Sequence, residues 1–289
     1  MNLGALLRAM RVSQWVKNVV VFAGLVFSQS YGNAHEIMIS LAAFAVFCAL
    51  SSAVYLFNDI RDRESDRHHP HKKTRPIASG TLSVGAALTA ALVLGAGGLV
   101  GAWAIRPPFF VVTLFYVGLN AAYSVVLKRV AIIDVMIVAM GFVLRAIGGA
   151  EAIDVAISAW LIVCTTFLAL FLGLGKRRWE LVALGDQAAG HRAVLARYSP
   201  HLLDQFIGVT TASTIVSYAL YTLAPETQAK FGTIGLIWTL PFVLFGVFRY
   251  LYLIHSEEVG GNPTAALLND PPLLVNSVLW LAAVVWIIS

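Results

Sequence analysis

The sequence predicts an all-α polytopic membrane protein, and two observations carry this prediction. Of the 289 residues, 59% are hydrophobic and only 12% are charged, and the mean hydropathy is +0.80. A soluble domain has roughly 45–50% apolar and about 25% charged residues. The apolar residues also form runs of about 20, the length that an α-helix needs to cross the hydrocarbon core of a bilayer. The chain is therefore expected to lie in a membrane.

Nine such runs follow one another along the chain. They cover residues 15–33, 37–57, 83–104, 108–127, 132–150, 156–175, 205–224, 232–254 and 272–288. Most gaps between them are short and leave no room for a separate soluble domain. We therefore predict one transmembrane domain over residues 1–289, with nine helices in a single bundle. Without a soluble platform to present bases, nucleic acid is not an expected partner.

The basic residues lie mostly on one side of the predicted bundle. If the N-terminus is cytoplasmic, 17 of the 20 Lys and Arg residues fall in cytoplasmic segments, while Arg106 and Lys230 fall outside and Arg145 lies within a span. Such an excess is usual for cytoplasmic loops. It predicts a multi-pass protein of the cell (plasma) membrane with a cytoplasmic N-terminus. The net charge of +5 reflects either this rule or anionic substrates.

An acidic segment follows the second predicted span. Asn58, Asp62 and Asp66 are spaced four residues apart, so they share one face if the helix continues past the membrane. Mg²⁺ typically takes one or two protein carboxylates and completes its shell with water and phosphate oxygens. We predict that these three residues are the metal ligands and catalytic residues, with Asp59 contacting substrate. The alternative is a solvated helix end with alternating charges.

Basic residues follow the acidic segment directly. Arg75 offers a planar guanidinium that matches phosphate, and Lys73 a mobile point charge. We predict that both bind the phosphates of a substrate; the alternative is that they only set the topology. His68, His69 and His71 show no ligand spacing and are expected to be solvated loop residues.

This part of the chain resembles the first aspartate-rich motif of the UbiA-type intramembrane prenyltransferases. The match consists of Asn-x-x-x-Asp-x-x-x-Asp at 58–66 and Arg-Pro-Ile-Ala-Ser-Gly at 75–80. The resemblance implies nine transmembrane helices in a ring around a lipid-facing cavity. It also implies that the motif binds Mg²⁺ together with a diphosphate.

One departure from that family points to a subfamily. Typical members carry a second Asp-x-x-x-Asp motif after the sixth helix, where this chain has Lys176, Arg177 and Glu180, followed by Asp186. Together with segments 11–18, 123–129 and 141–145, this departure resembles the decaprenyl-phosphate phosphoribosyltransferases of actinobacterial cell-wall synthesis. The resemblance extends over about residues 8–185.

The subfamily resemblance implies transfer of 5-phosphoribose from phosphoribosyl diphosphate to a polyprenyl phosphate, giving a precursor of cell-wall arabinan. These substrates bring three anionic groups, a diphosphate, a 5-phosphate and a lipid phosphate, which explains several cations outside the acidic motif. The further substrate-binding candidates are Lys17, Tyr123, Lys128, Arg145, Lys176, Arg177 and Glu180.

Two of the ionisable residues lie within a predicted span. Asp134 and Arg145 are 11 residues apart and share a helix face. Ionisable residues inside a membrane usually mark a functional site. The alternative for Arg145 is that its side chain reaches to an interface.

Two other functions stay open at this point. One is prenyl transfer to an aromatic or haem acceptor, against which the missing second acidic pair argues. The other is a lipid transporter or binding protein without catalysis. The oligomeric state is also open.

Overall fold

The computed structural model describes residues 2–69, 72–185, 188, 193–256 and 263–289, and the regular secondary structure in these ranges is helical throughout. Asp186 and His71, both named above, lie outside the described residues. The chain divides into two compact units. The first unit comprises Met1–Lys128 and Leu144–Ala156, and the second unit comprises Arg129–Val143 and Ile157–Ser289.

The first unit is built from the N-terminal helices. They are α1 (Leu3–Met10), a 3-10 helix (Val12–Phe22), α2 (Ala23–Phe27), α3 (Ala34–Arg61), α4 (Arg63–Arg67), α5 (Val84–Ile105), α6 (Pro107–Val125) and the C-terminal part of α7 (Ile133–Ala152). Short 3-10 turns cover Ser30–Gly32, Lys72–Thr74 and Leu127–Arg129. The core of this unit forms around Phe47, whose ring packs edge-on against Phe109 at 5.8 Å and Tyr116 at 5.4 Å.

The second unit contains the N-terminal part of α7 and the remaining helices. These are α8 (Ala159–Leu184), α9 (Pro200–Leu223), α10 (Pro225–Phe231), α11 (Leu240–His255), α12 (Pro263–Asn269) and α13 (Pro271–Ile288), with 3-10 turns at Ala193–Arg197 and Gly235–Thr239. Its core forms around Phe171 and Tyr250, whose ring centroids are 5.3 Å apart.

Side-chain caps explain where several helices begin. Asn33, Ser83, Ser199 and Asp270 each accept a hydrogen bond from a backbone N–H in the first turn of α3, α5, α9 and α13. Such caps satisfy donors that have no partner within the helix. Pro200 and Pro271 follow two of these caps, at the position where proline fits a helix best.

The prediction of nine spans is not confirmed in full. Eight helical segments among the described residues are long and apolar enough to cross a membrane, and they match the second to ninth predicted runs. The first run, 15–33, is wrong in extent, because the apolar helix there covers only Val12–Phe27. Much of this segment is a 3-10 helix, which rises about 2.0 Å per residue rather than 1.5 Å. Its length is therefore about 30 Å, close to the hydrocarbon thickness.

One glycine fixes how the first unit packs around this unusual helix. A Cβ atom added to Gly149 would lie 1.9 Å from the carbonyl oxygen of Val21. The 3-10 helix can therefore pack closely against α7 only because residue 149 has no side chain. Arg145 lies one turn earlier on the same face of α7. The close approach thus brings the 3-10 helix alongside Arg145.

Candidate active site

The acidic segment sits where α3 ends. Helix α3 runs to Arg61, past the predicted boundary at residue 57, and Asp62 joins it to the short helix α4. The backbone N–H of Asp62 donates to the Asn58 carbonyl at 2.9 Å, and that of Asp66 donates to the Asp62 carbonyl at 2.8 Å. The helical spacing of the motif is therefore kept through the junction.

Asp59 and Asp66 share one arginine. Arg75 Nη1 donates to Asp59 Oδ1 at 3.1 Å and to Asp66 Oδ2 at 2.7 Å. Arg11 Nη2 also donates to Asp59 Oδ1, at 2.6 Å, and its guanidinium lies over the Tyr55 ring. Both carboxylates are buried. Asp59 is thus a central member of the acidic site, linked to Asp66 through Arg75.

Asp62 has a different cationic partner. Lys128 Nζ lies 2.6 and 2.7 Å from the two carboxylate oxygens of Asp62. Arg61 Nη2 donates to the carbonyl of Val125 at 3.1 Å. This hydrogen bond holds the C-terminal end of α6 next to the motif. Asn58 is half-buried on α3. We call Arg11, Asp59, Asp62, Asp66, Arg75 and Lys128 the acidic-site cluster; its three carboxylates and three cations balance in charge.

The other candidates around the motif are more peripheral. The side chain of Lys73 is exposed, and Tyr123 on α6 is half-buried. His68 is exposed as expected, with Nδ1 2.9 Å from the carbonyl oxygen of Glu64. His69 is buried, contrary to the expectation, and its Nδ1 accepts from the backbone N–H of Lys72 at 3.2 Å. His69 therefore stabilises the turn that directly precedes Arg75.

The donor set of the cluster fits Mg²⁺. In the described ranges, no group of three or more His, Cys, Asp or Glu side chains is arranged around a common metal position. Mg²⁺ does not require one, since it is usually held by one or two carboxylates and by substrate phosphates. The available ligands are hard oxygens, each of which already faces a positive charge. If Mg²⁺ and a diphosphate bound together, the carboxylates would pair with the metal and the three cations would pair with the diphosphate, in place of the ion pairs within the protein.

Arg145 lies deeper in the first unit and is buried. Its Nε donates to Asn18 Oδ1 at 2.7 Å, and its Nη2 donates to the Tyr116 hydroxyl at 2.8 Å. Asn18 in turn lies 3.2 Å from Cys48 Sγ and 3.4 Å from Ser51 Oγ. Arg145 is only 6% exposed, so the alternative that it reaches to an interface is wrong.

In the second unit, Arg177 is held between two carboxylates. Its Nε donates to Asp134 Oδ2 at 2.8 Å, and its Nη1 donates to Glu180 Oε2 at 3.0 Å. All three residues are buried, Asp134 completely. Lys176 Nζ lies 3.9 Å from Glu180 Oε1, and its side chain is 36% exposed. The predicted run 156–175 ends too early, because α8 continues to Leu184 and includes Lys176, Arg177 and Glu180.

Tyr198 completes this network and was not anticipated from the sequence. Its hydroxyl donates to Asp134 Oδ1 at 2.8 Å and accepts from the backbone N–H of Ile132 at 2.6 Å. Ile132 has φ of 71°, an uncommon value for a β-branched residue. Burial, together with the neighbouring Asp134 carboxylate, raises the pKa of Tyr198 to about 12. The phenol therefore stays protonated and keeps donating at neutral pH.

The structure thus brings together two sets of the candidates. Within the first unit, Asp59, Asp66 and Arg75 meet directly, as do Asp62 and Lys128. Within the second unit, Lys176, Arg177 and Glu180 form one ionic network with Asp134.

Comparison with known proteins places this chain in a family. The family model described as the UbiA prenyltransferase family matches residues 18–269. The decaprenyl-phosphate phosphoribosyltransferase of Mycobacterium tuberculosis is 33% identical over 281 residues, covering 96% of this chain and 92% of that protein. The protein of the same name from Corynebacterium glutamicum is 33% identical over 285 residues, covering 97% and 85%.

A solved structure supports the fold. A UbiA homolog from Archaeoglobus fulgidus, bound to DMAPP and Mg²⁺, matches with a TM-score of 0.72 at 20% identity, covering 98% of both chains. With a family model that matches most of its length and relatives at 33% identity, the chain belongs to the UbiA prenyltransferase family and is a multi-pass membrane transferase.

Proposed function

We propose that this protein transfers 5-phosphoribose from phosphoribosyl diphosphate to a polyprenyl phosphate such as decaprenyl phosphate, releasing diphosphate, to make a precursor of cell-wall arabinan. The observation that carries the proposal is the 33% identity, over nearly the whole chain, to two proteins named decaprenyl-phosphate phosphoribosyltransferase. The family match crosses both units, so we treat residues 1–289 as one transmembrane domain.

The acidic-site cluster would hold the leaving diphosphate. Arg11, Arg75 and Lys128 already point their N–H groups at oxygen acceptors, and phosphate oxygens accept the same hydrogen bonds. We propose Asn58, Asp62 and Asp66 as ligands of Mg²⁺, which would stabilise negative charge on the departing diphosphate. Stabilising the charge that develops on a leaving group is usually the largest contribution to catalysis.

The acceptor needs no general base. A phosphate monoester has a second pKa of about 6, so its oxygen is already ionised at neutral pH. This oxygen forms a bond to C1 of the ribose, and the C1–O bond to diphosphate breaks with both electrons going to diphosphate. The transition state would resemble an oxocarbenium ion, as in other glycosyl transfers. The role of the protein is therefore to position and neutralise three anionic groups, namely the diphosphate, the 5-phosphate and the lipid phosphate.

The donor has a 5-phosphate besides its diphosphate, and we propose that the Lys176–Arg177–Glu180 segment binds it. Lys176 is the member with an exposed side chain. Lys176→Ala should raise the donor KM by roughly 10- to 150-fold, the effect of losing one charge-assisted hydrogen bond. The KM for lipid phosphate should change much less. Steady-state kinetics with each substrate varied in turn measures both constants, and an unchanged donor KM would contradict the assignment.

We further propose that the N-terminus and the acidic-site cluster face the cytoplasm. The basis is the distribution of Lys and Arg, with 17 residues predicted on one side and two on the other. Single cysteines at Ser65, Ser79 and Ser289, all exposed positions, can be introduced after replacing Cys48 and Cys164. An impermeant maleimide should label the first two only from the cytoplasm and the third only from outside. Labelling of Ser65→Cys from outside would reverse the orientation.

A paired-donor assay tests the proposed function. Purified protein in lipid nanodiscs receives either phosphoribosyl diphosphate with decaprenyl phosphate or a prenyl diphosphate with an aromatic acceptor. We expect diphosphate release and a phosphoribosylated lipid only in the first reaction. Turnover only in the second would make the protein a prenyltransferase. Turnover in neither, with lipid still bound, would favour a binding or transport protein.

A further inference from the structure

Tyr198 connects two segments of the second unit that are far apart in the sequence. It directly precedes Ser199, the N-cap of α9. Its hydroxyl reaches the first turn of α7, where it donates to Asp134 Oδ1 at 2.8 Å and accepts from the backbone N–H of Ile132 at 2.6 Å. Tyr198 is 7% exposed and belongs to the apolar core of this unit. Core packing therefore fixes where its hydroxyl lies.

The backbone of Ile132 has an unfavourable conformation at this contact. Its φ of 71° lies in the left-handed region, which a β-branched residue rarely adopts. Such conformations persist only where the surrounding structure enforces them, and they cluster at functional sites. The hydrogen bond to Tyr198 satisfies the N–H of this residue and holds the beginning of α7 in one arrangement. The position of Asp134, two residues later, is thereby fixed as well.

The Asp134 carboxylate is divided between two donors. Tyr198 binds Oδ1, while Arg177 Nε binds Oδ2 at 2.8 Å. Arg177 also directs Nη1 to Glu180 Oε2 at 3.0 Å. A guanidinium can instead bind both oxygens of a single carboxylate. By occupying Oδ1, Tyr198 favours the arrangement in which Arg177 is shared between Asp134 and Glu180.

This network reaches the surface at Lys176. The side chain of Lys176 is 36% exposed, whereas Tyr198, Asp134, Arg177 and Glu180 are buried. Lys176 Nζ lies 3.9 Å from Glu180 Oε1, which is longer than a hydrogen bond. The more firmly Arg177 holds Glu180, the less Glu180 competes with a phosphate for the Lys176 ammonium.

We propose that Tyr198 is a positioning residue for the donor 5-phosphate, an assignment that rests on the proposed phosphoribosyl transfer. Without the hydroxyl, the buried Oδ1 of Asp134 would lose this donor, and an unsatisfied buried oxygen is costly. The Arg177 guanidinium would then shift to bind both Asp134 oxygens and would hold Glu180 less firmly. Glu180 would form a direct pair with Lys176, which would bind phosphate more weakly.

The central test is Tyr198→Phe in the full-length protein in nanodiscs. It should raise the donor KM by roughly 2- to 13-fold, the usual effect of one hydrogen bond, with little change in kcat or in the KM for lipid phosphate. Tyr250→Phe is the matched control, because it removes another buried hydroxyl of the second unit, one that donates to the Leu172 carbonyl at 3.5 Å. The control should leave both KM values unchanged. A purely structural role of Tyr198 predicts a lower Tm with an unchanged donor KM, and that result would overturn the inference.

A double-mutant cycle tests the route from Tyr198 to Lys176. In Glu180→Gln no carboxylate remains at position 180 to pair with Lys176. Adding Tyr198→Phe to this variant should therefore change the donor KM by less than about twofold, as expected when the coupling between two sites is lost. An equal effect of Tyr198→Phe with and without Glu180→Gln would show that Tyr198 does not act through Glu180.

Fluorinated tyrosine at position 198 covers the case in which Tyr198→Phe does not fold. Difluorotyrosine keeps the shape of tyrosine, and its phenol ionises at lower pH than that of Tyr198, whose pKa is about 12 beside Asp134 and Arg177. An ionised phenol cannot donate to Asp134. At a pH where its absorbance shows the phenolate, the donor KM should be raised relative to the wild type at the same pH. An unchanged donor KM there would overturn the inference.

A binding measurement separates this inference from the proposed function. Ribose 5-phosphate, which carries the 5-phosphate without the diphosphate, is titrated in the absence of acceptor. Wild type and Tyr250→Phe should bind it equally and Tyr198→Phe more weakly, even if phosphoribosyl transfer proves absent. If transfer occurs but Tyr198→Phe binds ribose 5-phosphate as tightly as the wild type, the inference fails and the proposed function stands. Absence of ribose 5-phosphate binding in the wild type would overturn the inference as well.

Discussion

Asp66→Asn is expected to lower the rate of transfer by at least about 100-fold, comparable to removing a key electrostatic group from other active sites. The buried Asp66 carboxylate accepts from Arg75 at 2.7 Å and is a proposed Mg²⁺ ligand. The asparagine amide has the same shape but no charge, so it binds Arg75 and Mg²⁺ more weakly than the carboxylate does. Asp62→Asn should have a similar effect, because it removes the charge that pairs with Lys128. The measurement is diphosphate release at saturating substrates.

Glu64→Gln is the matched control for these two variants. Glu64 lies in the same short helix, α4, but its side chain is 71% exposed and pairs with Arg67 at the surface. It removes one negative charge from the same segment, so nearly wild-type activity is expected. EDTA should abolish wild-type turnover, and added Mg²⁺ should restore it. Full activity of Asp62→Asn or Asp66→Asn, at normal protein level, would exclude the proposed metal ligation.

Arg177→Met is expected to destabilise the second unit by about 3–5 kcal/mol, the usual cost of breaking a buried ion pair by removing one partner. Arg177 is 4% exposed, and it neutralises both Asp134, which is fully buried, and Glu180. Methionine fills much of the same volume but leaves two buried carboxylates without this partner. Thermal unfolding of the detergent-solubilised protein should show a clear drop in Tm.

Arg178→Met provides the comparison for that loss. Arg178 is the next residue along α8, but it pairs with Asp204, which is 42% exposed, and surface ion pairs contribute only about 0–1 kcal/mol. Asp134→Asn and Glu180→Gln, added together to Arg177→Met, remove the buried charges and should recover much of the Tm. If Arg177→Met and Arg178→Met have the same Tm, the buried ionic network around Arg177 does not stabilise the fold.

The measurements of donor KM and of Tm together distinguish the roles of the neighbouring cations Lys176 and Arg177. Lys176→Ala should change the donor KM with little effect on Tm, because Lys176 is partly exposed and lies 3.9 Å from Glu180. Arg177→Met should act first on Tm. Sequence reasoning treated these two residues as equivalent phosphate ligands, since adjacency in the sequence does not reveal that one side chain is buried between carboxylates.

Hydropathy alone determined most of the helical architecture. Eight of the nine predicted runs correspond to helices that can span a membrane, because crossing a bilayer imposes a length and an apolar composition on each segment locally. The extent of the first run was not predictable in this way. The segment is largely a 3-10 helix, and its close contact with Gly149, more than 100 residues later in the chain, exists only in the folded protein.

The sequence by itself also determined where the polar chemistry is concentrated, since Asn58, Asp62 and Asp66 stand out at helical spacing beside an apolar run. Only the tertiary structure decided the pairing of charges. It joins Asp59 and Asp66 through Arg75, gives Asp62 to Lys128, and adds Tyr198 to Asp134. These partners lie up to 66 residues apart. In a medium of low dielectric, a buried charge is stable only next to its partner, so helix packing selects which of the many available charges meet.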